Sequence, residues 1–205
     1  MARDGRPTRN KILAESKELV FEKGFAGTSI DQILDRTGIT KGAFFYHFKT
    51  KSALAKALIE EFAQDDMGHM EAALKKTEHL KGAPLERLSQ FVQEFIDLMS
   101  DLSSPPSCLY ASYTYEPDQF DKEVLDTVEE AILKWKETFK TLLKAVLQEY
   151  DLKMETNIDE LANNFFVTFE GSFVISRALK DPSITAKQLQ LLKNHFQLLF
   201  ERKVS

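Results

Sequence analysis

Cysteine is almost absent. The single thiol in 205 residues, Cys108, excludes an internal disulfide framework and a zinc site built from cysteines. Histidine is nearly as scarce: His47, His69, His79 and His195 show no metal-ligand spacing, so neither a metal nor a cofactor is expected. There is no glycine-rich phosphate loop and no motif around a nucleophilic serine, and an enzyme is not the class these residues suggest. With 8 Gly and 6 Pro the chain is too poor in both to be disordered or low in complexity. No apolar run approaches the ~18 residues of a membrane span. Nothing near Met1 has the basic and apolar regions of a signal peptide, so a cytoplasmic protein with no membrane contact is expected. Internal repeats are lacking, as are stretches that alternate apolar and polar residues over a strand's length.

What is present is charge, unevenly spread. The net charge of −5 looks wrong for a partner of nucleic acid until it is divided. Residues 1–51 hold ten Lys/Arg against six Asp/Glu, net +4, which leaves 17 against 26, net −9, for the rest. A basic head on an acidic body is the asymmetry expected if only the first segment meets phosphate.

Helical periodicity dominates the body. Leu85, Leu88, Val92, Phe95 and Met99 step by three and four behind Pro84, a residue that the first helical turn tolerates. Leu125, Val128, Ile132, Trp135, Phe139, Leu142 and Val146 repeat the pattern, giving two helices with one buried stripe each. Asn157 with Glu160, and Thr185 with Gln188, read as N-terminal caps of two final helices parted by Asp181-Pro182. Both are apolar on more than one side, which predicts packing inward and against a second subunit. The expected interface residues are Phe165, Phe173, Leu192, Phe196 and Leu199, the alternative being a deep single-chain core. From Ser103 to Pro117, prolines 105, 106 and 117 predict a loop or a short broken helix around Cys108.

The first fifty residues are more specific. The spacing predicts a helix from about Thr8, carrying Ile12, Leu13, Leu19 and Val20 and stopping at Gly24 as a left-handed cap. Thr28 caps a short second helix with Asp31 at its third position, Gly38 makes the turn, and Thr40 caps a third helix reaching about Phe48. At about 100° per residue Phe44 and Phe48 fall on the inner side, while Gly42 and Tyr46 point outward and Lys41 projects from the first turn, the part of a recognition helix that reaches base edges. Gly42 costs ~1 kcal/mol of helix stability relative to Ala, which close approach of backbone to DNA would explain. Thr28, Ser29, His47 and Lys51 supply donors suited to phosphate oxygens. Arg3, Arg6 and Arg9 read equally well as an arm in the minor groove or as an untethered basic tail.

Thr28-Ser29-Ile30, followed by the run from Gly38-Ile39-Thr40-Lys41-Gly42-Ala43 through Phe44-Phe45-Tyr46-His47-Phe48-Lys49-Thr50-Lys51, resembles the signature of the TetR/AcrR family of regulators. The resemblance implies an all-α fold: an N-terminal three-helix helix-turn-helix domain over 1–51 and a larger helical effector-binding and dimerisation domain over 52–205. It implies that Thr28 and Thr40 cap helices and touch phosphate, that Lys41 and Ala43 face bases, and that His47 and Lys51 anchor the duplex backbone. Phe45 stands where the family usually has Tyr and so lacks a hydroxyl for phosphate.

The resemblance further implies a homodimer that binds a palindromic double-stranded operator and releases it when a small-molecule effector occupies the body. Candidate effector contacts are Phe95, Met99, Tyr110 and Tyr113, with Trp135, Phe139, Phe166 and Phe169. No Arg or Lys cluster falls among them, so an apolar or aromatic effector is expected. Cys108 is a further candidate, because Ser107-Cys108-Leu109 is similar to a Gly-Cys-Leu stretch in a subgroup of the family with members that sense electrophiles or oxidants. Two other readings stand beside a ligand-released repressor: a redox-sensing repressor acting through Cys108, and a helical ligand carrier without DNA binding. Repression and activation are not distinguished at this level.

Overall fold

In the computed structural model, which describes residues 5–204, the amphipathic segments form helices α1 (Arg6–Lys23), α2 (Ile30–Thr37), α3 (Lys41–His47), α4 (Lys51–Lys76), α5 (Pro84–Ser100), α6 (Leu109–Thr114), α7 (Lys122–Glu149), α8 (Ile158–Leu179) and α9 (Ser183–Leu199). The fold is all-α, as expected, with one small addition. Strands β1 (Tyr150–Leu152) and β2 (Phe200–Arg202) pair antiparallel, Asp151 opposite Glu201. Three residues are too few for a two-residue period to emerge from a sequence.

Two compact units make up the chain. The first comprises residues up to Asp66 together with Cys108–Ala131, so α6 belongs with the N-terminal helices. Its interior is built from Ile12, Leu13, Ile33, Phe44, Leu54 and Ile59. The Pro-rich stretch before α6 and the 3-10 turn at Pro117–Gln119 after it make residues 103–117 the short broken helix that the prolines predict.

The second unit, Met67–Ser107 with Ile132–Ser205, packs α9 against α5 and α8. Its core is aromatic. Phe139 is fully buried and stacks on Phe165 at 4.4 Å between ring centroids, flanked by Phe196 at 5.6 Å and Phe91 at 6.2 Å. Trp135 lies edge-on to Phe95 at 5.1 Å. Such offset and edge-to-face pairs add to the burial of large apolar surface that stabilises the unit.

Helix ends show how local rules compete. Pro84 begins α5 and Asn157 caps α8, its side-chain oxygen accepting the Glu160 N–H at 3.0 Å, both as expected. The last helix starts two residues before Thr185: Asp181 accepts the Ser183 N–H at 2.9 Å, and Pro182, at φ −65°, already has helical geometry. Thr185 is instead fully buried inside α9, one turn before Leu189 on the apolar stripe.

Candidate nucleic-acid interface

Helix α1 closes at Gly24, whose φ of 76° and ψ of 169° lie in a region open essentially only to glycine. The chain is thus more extended here than a left-handed cap. Thr28 then turns back: its hydroxyl donates to the Gly24 carbonyl at 2.8 Å and the residue is buried. The expectation that Thr28 caps α2 and touches phosphate is therefore corrected. The cap is Ser29, whose Oγ accepts the Gln32 N–H at 3.2 Å while Gln32 Oε1 accepts the Ser29 N–H at 3.0 Å, a reciprocal capping box. Gly38, left-handed at φ 67°, ψ 21°, ends α2 and reverses the chain into Thr40, whose Oγ1 accepts the Ala43 N–H at 3.2 Å.

These caps have a chemical consequence. Ser29 and Thr40 are exposed and use their hydroxyl oxygens as acceptors, so each O–H is left to donate to an external oxygen. Thr50, missed in the sequence reading, behaves in the same way at the start of α4: its Oγ1 accepts the Ala53 N–H at 3.0 Å. An exposed Thr three residues ahead of a helical N–H was the available signal.

On α3 the inner and outer faces separate as expected. Phe44 is fully buried and Phe48, at the C-cap, is 3% exposed. The Arg9 guanidinium lies 5.4 Å from the Phe48 ring centroid, so Arg9 braces α1 against the end of α3. Arg3, the first member of the expected basic arm, lies outside the described residues. Lys41 and Gly42 are exposed, and Tyr46 is 74% exposed with its ring edge-on to His47 at 5.0 Å. Ala43, Phe45 and His47 are half-buried, Phe45 resting edge-on against Phe44 at 5.3 Å. Arg36 holds α2 to α1 through Glu15 at 3.0 Å and Glu22 at 2.7 Å.

Lys51 departs most from expectation. Its ammonium donates to the Phe25 carbonyl at 2.6 Å and sits 4.4 Å from the Phe25 ring centroid, facing the α1–α2 link and not an external phosphate. Burial pulls its pKa below the ordinary lysine value, opposed by the nearby Glu116 carboxylate. Glu116 Oε1 accepts the Phe25 N–H at 3.0 Å and Oε2 the Ala26 N–H at 2.6 Å. Nothing in the local sequence marks Glu116, because its partners lie some 90 residues away.

The candidate effector residues divide between the units. In the first, Cys108 is buried at the start of α6. Tyr110 donates to Asp66 Oδ2 at 3.0 Å with its ring edge-on to Phe62 at 4.9 Å. Tyr113 is fully buried, stacked on Phe120 at 4.0 Å and donating to the Ala55 carbonyl at 2.9 Å. Burial pushes its phenol pKa far up, which keeps it a donor. In the second unit Phe95, Trp135, Phe139 and Phe169 join the aromatic core together with Phe166, and Met99 is buried one turn beyond Phe95. Of these, Phe166 and Phe169 keep partial exposure.

The five residues expected at a dimer interface, Phe165, Phe173, Leu192, Phe196 and Leu199, are all buried within the second unit. They fill this chain's own core, and the surface that α8 and α9 leave apolar and exposed is instead Val167, Val174, Ile175, Leu179, Leu191 and Leu198.

Two family models match the sequence. One, described as bacterial regulatory proteins of the tetR family, covers residues 12–58, and one described as the tetracyclin repressor-like C-terminal domain covers 84–192. An uncharacterized HTH-type transcriptional regulator in the lacX 3' region of Lactococcus lactis subsp. lactis is 23% identical over 96% of this chain and 97% of its own length. IcaR of Staphylococcus aureus (strain Newman), a negative transcriptional regulator of the biofilm operon icaADBC, is 24% identical over 71% of this chain and 83% of its own. In fold, a TetR transcriptional regulator from Chloroflexus aurantiacus J-10-FL is similar with a TM-score of 0.76 and 24% identity, covering 98% of this chain and all of the other. No described helix is long and apolar enough to cross a membrane.

Proposed function

Because this chain belongs to the TetR family of bacterial DNA-binding regulators, we propose that it is a repressor that docks α3 into the major groove of a palindromic operator and leaves it when an effector binds the C-terminal region. The observation that carries the reading is the outer face of α3. Lys41, Gly42 and Tyr46 stand exposed over a buried Phe44–Phe48 side, so the helix offers a cation, a bare backbone and a phenol to base edges while its core holds it in place. Ser29, Thr40 and Thr50 donate to phosphates beside it, and His47 assists at the end of the helix.

The protein acts as a homodimer, joined through the exposed apolar residues of α8 and α9, with the two recognition helices ~34–36 Å apart. The effector is small and mostly apolar or aromatic, in keeping with the rings of the second unit. It releases DNA by binding the arrangement that does not fit the operator more tightly than the one that does.

A salt titration tests the DNA reading. Affinity for a random duplex should fall steeply and linearly on a logarithmic scale as salt rises, because neutralised phosphates release counterions. An affinity indifferent to salt would leave a ligand carrier as the better account.

A further inference from the structure

We infer that Glu116 is a positioning residue for the DNA-binding helices, holding the α1–α2 link in the conformation that operator binding requires. The inference rests on the DNA-binding reading above and assigns a role to a residue outside the helix-turn-helix.

The link between Gly24 and Ser29 has backbone groups that no helix satisfies. Gly24 N–H still reaches the Val20 carbonyl at 2.9 Å, and the Thr28 N–H reaches Phe25 at 3.1 Å. The N–H groups of Phe25 and Ala26 instead meet the two oxygens of one carboxylate, Glu116 Oε1 at 3.0 Å and Oε2 at 2.6 Å. On the other side of the same peptide, the Phe25 carbonyl accepts the Lys51 ammonium at 2.6 Å. Two side chains of opposite charge thus grip one residue of the link by its donor and its acceptor. Charge-assisted bonds of this kind are about twice as strong as neutral ones.

The grip is reinforced by rings from the same segment. Phe25 packs on Phe120 at 4.8 Å and on Tyr113 at 5.8 Å, and Tyr113 is itself tied to the α4 backbone through Ala55. Gly24 is shaped to this arrangement: a methyl group added there would overlap Glu116 Oε1 and stand 3.2 Å from its Cδ. The link matters for α3 because α1 carries both Arg9, which braces Phe48, and the two carboxylates that hold Arg36 of α2. A link that relaxes lets α1 shift and takes the bracing of α3 with it.

The test compares wild type with Glu116→Gln and Glu116→Ala on two probes: a duplex that the wild type selects from random-sequence DNA, and an unselected duplex. Affinity for the selected duplex should fall about tenfold in Glu116→Gln, which keeps one acceptor, and further in Glu116→Ala. Affinity for the unselected duplex should stay within about twofold, since no lysine or arginine is substituted. A purely structural role lowers the folded fraction and weakens both probes equally, which would overturn the assignment, as would unchanged affinity for the selected duplex. If Glu116→Ala does not fold, amide exchange in the wild type decides: the Phe25 and Ala26 amides should be protected like helical ones, and rapid exchange would refute the grip. A wild type that selects no duplex defeats the DNA-binding reading itself, a distinct result.

Discussion

Replacing Gly24 by alanine should be among the most damaging single-methyl changes available in the first unit. Two separable effects act together. At φ 76° and ψ 169° a residue with a Cβ is strained by about 1–3 kcal/mol. The added methyl also overlaps Glu116 Oε1, so the carboxylate must withdraw from the Phe25 and Ala26 N–H groups. Bonds to charged acceptors contribute about 1.5–3 kcal/mol, but the Ala26 bond is exposed and the Phe25 bond part-buried, and water replaces part of the loss. About 1 kcal/mol for each is a fair discount, for a total of about 3–5 kcal/mol against a stability of about 5–15 kcal/mol typical of folded proteins. Urea unfolding followed by far-ultraviolet circular dichroism reads the change. In a Glu116→Ala background only the backbone strain remains, so the cost of Gly24→Ala should drop by about 2 kcal/mol. A cost below about 1 kcal/mol in wild type would refute the strain argument, and equal costs in both backgrounds would remove Glu116 from it.

The inward turn of Lys51 makes a contrast with Lys41. Lys51→Met should lose about 1–2 kcal/mol of stability, as a part-buried charge-assisted bond is removed, and leave the salt slope of binding to random duplex unchanged. Lys41→Ala should leave stability nearly intact and alter DNA affinity; a change of slope in Lys51→Met would show that its ammonium swings out to phosphate. Val174→Asp, at an exposed apolar position on α8, should convert the dimer to monomer in sedimentation at micromolar concentration. An unaltered sedimentation coefficient would place the interface elsewhere. Glu94 accepts a bond from Lys76 at 2.6 Å, which holds its carboxyl below the ordinary glutamate value. Its folded pKa is thus lower than its unfolded one, so the pair's contribution is present above the unfolded pKa and disappears as pH falls through the folded one. The stability difference between wild type and Glu94→Gln should therefore shrink on acidification through the carboxylate range, and a difference independent of pH would disprove the pairing.

Local patterns were legible because local physics makes them. The stripe Leu88, Val92, Phe95 and Met99, the Asn157 cap and the inward and outward faces of α3 all follow from side chains within a turn or two of one another. Where two local options competed, the sequence alone could not choose: Thr28 and Ser29 are adjacent hydroxyls, and Ser29 becomes the cap because Thr28 is drawn to the Gly24 carbonyl. Thr185 followed by Gln188 has the form of a capping box, but burial of that turn moved the start of α9 to Ser183.

The sequence by itself thus determined a helical chain with a helix-turn-helix near its start, an exposed Lys41–Gly42–Tyr46 face and an apolar, aromatic body. Tertiary structure alone decided which apolar faces this chain covers with its own residues. It put Phe165, Phe173, Leu192, Phe196 and Leu199 in the core and left Val167, Val174, Leu191 and Leu198 outside. It also turned Lys51 toward Phe25 and brought Glu116 to the same residue. Periodicity reports that a face will be buried and a charge will be paired, and the partner depends on what the rest of the chain brings to that place.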